Sequence, residues 1–327
     1  TTLAGDTFDE RDRMLTALPM FHGFGLLVGL HTVMCVSAAP VLMPVFRADK
    51  AVRAIAKHGV TLMIAVPGMI NKLLAQEEFR GANVRTLRHV YVGGDTVDAE
   101  LEKRFDERMR EAGTECVLSP GYGLTETGSV CVLSPEKAGG AALGKPLANM
   151  RCRIVGEDGK DVAKGETGEL LLTGNQLMLG YLDDEEGTRA VYARADGTDW
   201  LKTGDMFKEL PDGSLFFMGR KKRLIKISGV NVFPAEIERA AVELPFVGPC
   251  AAIEVRENNK PFIALFVTGK LSDEQIKTVK KHIVDQLSKW HEPKYVLCVD
   301  ALPRTQIGKT DYVRLSDEFE QNRKKSS

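Results

Sequence analysis

The sequence has no excess of either charge. Lysine and arginine total 44 against 45 acidic residues in a chain of 327, so no bulk field draws it to nucleic acid and no such partner is expected. It has no paired cysteines either. Cys35, Cys116, Cys131, Cys152, Cys250 and Cys298 are scattered, without a C-x-x-C spacing. That argues against a disulfide framework or structural zinc and fits a reducing, cytoplasmic compartment. The histidines form no H-E-x-x-H, no signal peptide heads the residues, and no internal repeat is present. The first residue is Thr1 rather than Met, which is read as a piece of something longer.

Residues 23–46 carry no Lys, Arg, Asp or Glu, and a membrane-spanning helix needs about 20 apolar residues. Pro40 and Pro44 break this run, however, and Gly23, Gly25 and Gly29 are expected to loosen it. The pattern predicts a buried helix over 24–37 and a buried strand over 40–44, with no integral membrane segment.

What is present is ordinary for a soluble globular protein: 43% hydrophobic and 27% charged residues, in a length that suits about two domains. From residue 48 the texture alternates. A helix capped by Asp49 runs to Lys57, followed by a strand over 60–66 and a helix over 69–78. A strand over 87–92 then ends in Gly93, Gly94 and Asp95. Asp98 caps a helix to Ala112, and a strand over 115–118 runs into the sequence GYGLTETG at 121–128. Strand, helix, strand in this rhythm means a largely parallel sheet, whose ligands bind at the carboxyl ends of its strands. Beyond about residue 140 come short strands at 151–155, 168–173 and 214–218 with Gly and Asp turns, the texture of a small barrel or sandwich. From 224 a compact α+β unit begins. Pro234 opens one helix and a Ser272–Gln275 capping box opens another, with strands at 251–255, 262–267 and 295–299 between and after them. The basic end at 323–327 is expected to fray.

The stretch at 121–128 carries the most chemistry. Gly121 and Gly123 admit close backbone approach and positive φ, and Tyr122 offers a flat face to a base. Thr125 offers a hydroxyl to a phosphate, and Glu126 a carboxylate to Mg²⁺. A glycine-rich turn leading to a helix capped by Thr125 or Thr127 explains the same residues.

GYGLTETG does not stand alone. With PMFHG at 19–23, WLKTGD at 200–205, GRKKRLIKISG at 219–229 and PRTQIGK at 303–309, the chain resembles the adenylate-forming acyl-CoA synthetases, five motifs in that family's order. The resemblance implies an α/β fold: part of a large parallel-sheet adenylation domain (1–140), a β-barrel-like subdomain (141–220), a hinge (221–223) and a mobile C-terminal α+β domain (224–327). It implies ATP, Mg²⁺ and coenzyme A as cofactors. The implied reaction activates a carboxylic acid, fatty or aryl, to acyl-AMP and passes the acyl group to the coenzyme A thiol.

The resemblance assigns roles residue by residue. Gly93, Gly94 and Asp95 form a loop on one side of the adenine, with Gly121, Tyr122 and Gly123 on the other. Thr125 faces phosphate and Glu126 the metal. Asp205, otherwise a surface turn residue after Thr203 and Gly204, accepts from the ribose hydroxyls, and Arg220 reaches ribose or phosphate. Lys222 is the hinge, although many family members carry an acid there, and Lys226, Ser228 and Gly229 line the thiol's approach. The same basic run reads, on composition alone, as a solvated targeting-like segment. His22 is either a satisfied core histidine or a gate between acyl pocket and coenzyme A tunnel. Lys309, after a turn at 306–308, presents its ammonium to the phosphorus under attack.

Two other readings fit: an acyl-AMP ligase loading a carrier protein, and a non-catalytic nucleotide-binding module. The family's Ser/Thr/Gly-rich phosphate loop, which precedes PMFHG, is not among these residues. The chain by itself is therefore expected to bind nucleotide weakly and to adenylate poorly.

Overall fold

In the computed structural model, which describes residues 2–3, 6–134, 142–305 and 309–325, the chain divides into two compact units. One comprises Thr1–Thr203 with Phe207–Phe217, the other Gly204–Met206 with Met218–Ser327.

The first unit is built on β1 (Arg13–Thr16), β2 (Ala39–Leu42), β3 (Leu62–Ala65), β4 (His89–Val92), β5 (Val117–Gly123), β6 (Val130–Leu133) and β7 (Lys145–Pro146). They form one sheet in the order β2-β1-β3-β4-β5-β6-β7. Pairing is parallel from β2 through β5 and antiparallel from β5 through β7. Alternate residues bury on opposite faces. Met63, Ala65, Val90 and Val92 pack on α1 (Ala48–His58), α2 (Pro67–Leu74) and α3 (Ala99–Glu111). Leu62, Ile64 and Tyr91 pack on the other side, against Phe24, Val28 and Val33. Burial on both faces is why these strands read as unbroken apolar runs.

The helices obey their local signals with one exception. Asp98 Oδ1 accepts from Leu101 N at 2.6 Å and starts α3. Gly59, at φ +59°, ends α1. Asp49 is not the cap expected for α1; it lies in the first turn, and Arg47 holds the cap position.

The uncharged run is a helix and a strand, but the strand expected to be buried is the sheet's edge strand β2, with Leu42 53% exposed, and the glycines do not loosen the helix. Residues Phe24–Thr32 wind as a π-helix, continued by Val33–Cys35. Gly29 is buried where a Cβ would lie 2.5 Å from Ile64 Cδ1 and 2.7 Å from Thr16 Oγ1. Thr16 Oγ1 donates to Gly29 O at 2.9 Å. The missing side chain therefore lets this helix lie directly on β1 and β3. Among the described residues no helix is long and apolar enough to cross a membrane.

Beyond the main sheet come β8 (Met150–Val155), β9 (Gly168–Gly174), α4 (Glu185–Val191), β10 (Tyr192–Ala195), β11 (Thr198–Glu209) and β12 (Leu215–Arg220). The strands join in the order β8-β9-β11-β10, with β12 paired to β11. Met150, Leu170, Leu172, Phe207 and Leu215 pack on Cys131 and Val132 of β6.

In the second unit β13 (Ile225–Ile227) and β14 (Val230–Val232) make a hairpin. They precede α5 (Pro234–Val242), β15 (Cys250–Glu257), β16 (Lys260–Thr268), α6 (Asp273–Gln286), β17 (Tyr295–Val299) and α7 (Tyr312–Lys325). The sheet β15-β16-β17 is antiparallel, then parallel. One face, with Ala252, Ile263 and Leu265, packs on Ile237 of α5 and Val279 and Ile283 of α6. The other, with Ile253, Ala264 and Phe266, packs on Leu315 and Phe319 of α7. The capping box opens α6, with Ser272 N to Gln275 Oε1 at 2.9 Å and Gln275 N to Ser272 Oγ at 3.2 Å. The expected frayed end is helical through Lys325, and Arg323 donates to Arg256 O at 2.8 Å.

Two substitutions test these packing statements. An alanine in a helix is worth up to about 1 kcal/mol over glycine, but overpacking costs about 1–3 kcal/mol. At Gly29 the clash falls on a buried β-branched pair, so Gly29→Ala should lower stability by about 1–2 kcal/mol in urea unfolding; equal or higher stability would mean the helix stands off the sheet. Ser228 and Gly229 join β13 to β14 with φ of +52° and +83°, the two positive values that a type I′ turn requires. Asparagine tolerates that region and β-branched residues do not. Ser228→Asn should therefore gain up to about 1 kcal/mol and Ser228→Val lose about as much, read from thermal melts; two neutral results would refute the turn.

Candidate active site

The parallel strands end together. Ala65 is in register with Val92, and Val92 with Pro120, so the loops leaving their carboxyl ends gather along one edge. Beyond Val92, Gly93 is buried, Gly94 has φ +86°, and exposed Asp95 accepts from the Thr96 amide at 2.9 Å. A Cβ on Gly93 would lie 3.2 Å from the Phe24 ring, and one on Gly23 would lie 1.9 Å from Gly128 O. The structure therefore brings together three separately assigned segments: 22–24, 93–95 and 121–128. His22 is exposed and its Nδ1 accepts from Phe24 N at 3.2 Å. That geometry removes the core-histidine reading.

The GYGLTETG stretch corrects two expectations. Gly121 and Gly123 lie within β5, and positive φ falls instead on Gly128, at +70°. At Gly123 the close neighbour is the chain itself: a Cβ would be 1.9 Å from Ser129 O, beside the register shift between β5 and β6. No helix comes after it either. Residues Thr125–Thr127 form a single 3₁₀ turn. The buried Thr127 hydroxyl accepts from Leu124 N at 3.0 Å and donates to Ser129 O at 2.8 Å. This pins a turn that presents Thr125 exposed and Glu126 half-buried. Tyr122 is half-buried, its ring edge-on to Phe207 at 5.0 Å.

A partner that the sequence reading missed completes this turn. Tyr181 Oη donates to Glu126 Oε1 at 2.5 Å, and Met178 N donates to Glu126 O at 2.8 Å. The hydrogen bond to the carboxylate raises the Tyr181 pKa to about 12. Only the Gly180-Tyr181 pair in an exposed loop rich in leucine marks the place in the sequence, which is no signal for a contact 55 positions away. Also unanticipated is a buried pair below the edge, His89 Nε2 to Ser119 Oγ at 2.5 Å, with the His89 and Tyr91 rings stacked at 4.4 Å.

The donor chemistry suits a hard cation shared with a substrate. One half-exposed carboxylate stands beside one hydroxyl, and among the described residues no group of three or more His, Cys, Asp or Glu could cage a metal alone. Mg²⁺ binds in that manner, keeping waters and substrate phosphates. Thiol chemistry is disfavoured at the buried cysteines. Burial raises Cys131 to about 12 and Cys152 to about 11, and pushes Cys116 and Cys250 up as well.

In the second unit Asp205 is not a surface turn residue. It is 1% exposed within β11, where Gly204 (φ +69°) interrupts but does not end the strand. Its Oδ1 lies 3.3 Å from Arg220 Nε, so two residues assigned separately form one ion pair. The basic run is not uniformly solvated. Lys222 and Lys226 are exposed, as are Ser228 and Gly229 at the β13–β14 turn. Arg223 instead turns inward, its Nη2 3.0 Å from Glu238 Oε1 and its Cζ 3.4 Å from the Tyr312 ring centroid. Glu238 also accepts from Ala252 N at 2.8 Å; burial pushes its pKa up against the pull of Arg223. Lys309 is half-buried, its N donating to Thr305 Oγ1 at 3.2 Å and its O accepting from Thr305 N at 2.8 Å. The turn expected at 306–308 lies outside the described residues.

Known proteins resemble this chain in sequence and in fold. The family profile described as AMP-binding enzyme matches residues 1–182, and that of the AMP-binding enzyme C-terminal domain matches 236–309. The indoleacetate–CoA ligase of Aromatoleum aromaticum is 32% identical over 91% of this chain and 58% of its own length. For 4-coumarate-CoA ligase 1 of Narcissus pseudonarcissus the figures are 29%, 92% and 56%. The chain thus spans somewhat under three-fifths of the length of these two curated relatives. Among solved structures, the O-succinylbenzoate coenzyme A synthetase of Bacillus subtilis, in complex with ATP and magnesium ion, superposes with a TM-score of 0.80. It is 28% identical, over 93% of this chain and 61% of that one. The chain belongs to the AMP-binding enzyme family.

Proposed function

We propose that this chain is the greater part of an AMP-forming acid–coenzyme A ligase. The carrying observation is the meeting of 22–24, 93–95 and 121–128 at the carboxyl edge of the parallel sheet, where α/β proteins bind nucleotides. The acid's carboxylate attacks the α-phosphorus of ATP, pyrophosphate leaves, and the thiol then displaces AMP from the acyl carbon. No protein nucleophile takes part.

In this reading Gly93, Gly94 and Asp95 border the adenine on one side and Tyr122 on the other. Thr125 donates to a phosphate oxygen. Glu126 holds Mg²⁺, which when bound neutralises phosphate charge. Asp205 accepts from the ribose hydroxyls, with Arg220 beside it, and Lys309 sets positive charge against the phosphorus as negative charge develops. Lys222 is the pivot of the second unit, and His22, Lys226, Ser228 and Gly229 serve the thiol's approach. The acid is proposed to be aromatic. Indoleacetate and 4-coumarate, named for the two curated relatives, both join an aromatic ring to a carboxylate through a short carbon link, and residues 23–31 and 66–69 are the candidates for the acyl pocket wall.

Lys309 is the sharpest test, since its visible ties are main-chain ones and removing the ammonium leaves them in place. In the complete enzyme Lys309→Ala should lower acyl-AMP formation by about 100-fold or more with the melting temperature unchanged. Undiminished adenylation would remove Lys309 from the chemistry, whereas no acyl-AMP formation by the wild-type enzyme would favour a non-catalytic nucleotide-binding module. A panel of aryl and fatty acids, assayed for AMP release with coenzyme A against a carrier protein, should give aryl-acid turnover with coenzyme A. Turnover only with the carrier would establish the acyl-AMP ligase instead.

A further inference from the structure

Glu126 is expected to bind metal, yet it stands on a three-residue turn and carries a flexible side chain. Left in water, a glutamate loses up to about 2 kcal/mol of rotamer entropy when it is fixed. The structure fixes it in advance. Tyr181 Oη reaches Oε1 at 2.5 Å, the short range of charge-assisted hydrogen bonds. Among the described residues no hydrogen bond reaches Oε2, so one oxygen is held and the other is left for a cation. Tyr181 is itself held: Thr188 Oγ1 accepts from its amide at 2.8 Å, it bridges to Asp184, and Asp184 caps α4 through Gly187 N at 2.7 Å. A second tie, Met178 N to Glu126 O, docks the same loop on the turn.

We propose that Tyr181 is a positioning residue of the metal site, holding Oε1 of Glu126 so that Oε2 faces the cation. The proposal rests on the reading of Glu126 as the Mg²⁺ ligand. Carboxylates that bind metals are commonly oriented in this way by outer partners, whose loss costs about 10–100-fold in affinity.

The test uses Mn²⁺ as the probe on the complete protein with ATP, bound metal being counted by electron paramagnetic resonance. Tyr181→Phe should weaken nucleotide-dependent Mn²⁺ binding about tenfold, while ATP binding without metal stays as in wild type. Glu126→Gln should weaken it at least as much, and the double variant should be no worse than Glu126→Gln alone. Wild-type affinity in Tyr181→Phe together with a loss in Glu126→Gln overturns the Tyr181 proposal and leaves the Glu126 reading standing. Fully additive losses also overturn it, because the tyrosine then acts through the fold alone. Wild-type affinity in Glu126→Gln removes the underlying reading and the proposal with it. Should Tyr181→Phe fail to fold, wild-type protein labelled with ¹³C at the tyrosine Cζ supplies an independent readout. Mn²⁺ with ATP should broaden the Tyr181 signal; an unbroadened signal overturns the proposal.

Discussion

The candidate site depends on one strand having two kinds of neighbour. Along its first half β5 pairs parallel with β4, from Val117 opposite His89 to Pro120 opposite Val92. Along its second half it pairs antiparallel with β6, from Gly121 opposite Leu133. A parallel neighbour requires a crossover, whereas an antiparallel one needs only a turn. The chain therefore reverses just where the parallel strands stop, and Thr125 and Glu126 stand on that reversal. Tightness is part of the constraint. Ser129 O occupies the place of a Gly123 side chain, and Gly128 O that of a Gly23 side chain.

A turn this tight cannot rely on apolar burial, so polar groups hold it. Thr127 satisfies Leu124 N from within, and Met178 N reaches Glu126 O from the segment after β9. Each internal hydrogen bond contributes about 1 kcal/mol net, but leaving its buried partner unsatisfied costs about 1–3 kcal/mol. The arrangement thus resists partial loss more strongly than its net stabilisation implies. The sheet beneath is the opposite case. It is apolar on both faces and indifferent to which ligand sits at its edge, and that separation lets a rigid frame carry a site specified by a few side chains.

The frame is legible in the sequence because buried parallel strands produce long apolar runs. The strands containing Ile64 and Val90, the α3 cap at Asp98 and the Ser272–Gln275 box are all written in patterns a few residues long. The misses share a physical cause: each depends on neighbours distant in sequence. Strand β1 has only four residues, and its place between β2 and β3 is set by partners it cannot announce. Gly204 resembles the end of a strand because glycine after threonine usually marks a turn, yet β11 continues through it. Composition suggests positive φ at Gly121 and Gly123, whereas their strand needs them for close packing. For the site, the motifs name Thr125, Glu126 and Asp205, but not Tyr181 or the pairing of Asp205 with Arg220.

The basic run at 220–226 shows why composition and chemistry diverge. Four of its seven residues, Arg220, Lys221, Lys222 and Lys226, are exposed, as a solvated segment would be. Arg223 differs because it meets a mostly buried carboxylate, a backbone carbonyl at 3.1 Å and an aromatic face together. A planar guanidinium can serve all three at once, and an ammonium cannot. Breaking a fully buried pair costs about 3–5 kcal/mol, and this pair, with side chains 23% and 18% exposed, falls below that range. Arg223 is therefore anchored to the body of the second unit while Lys222, one residue earlier, is in solvent. Whatever freedom the chain has near Lys222 must end at Arg223, because past that point movement would strip Glu238 of its counter-ion.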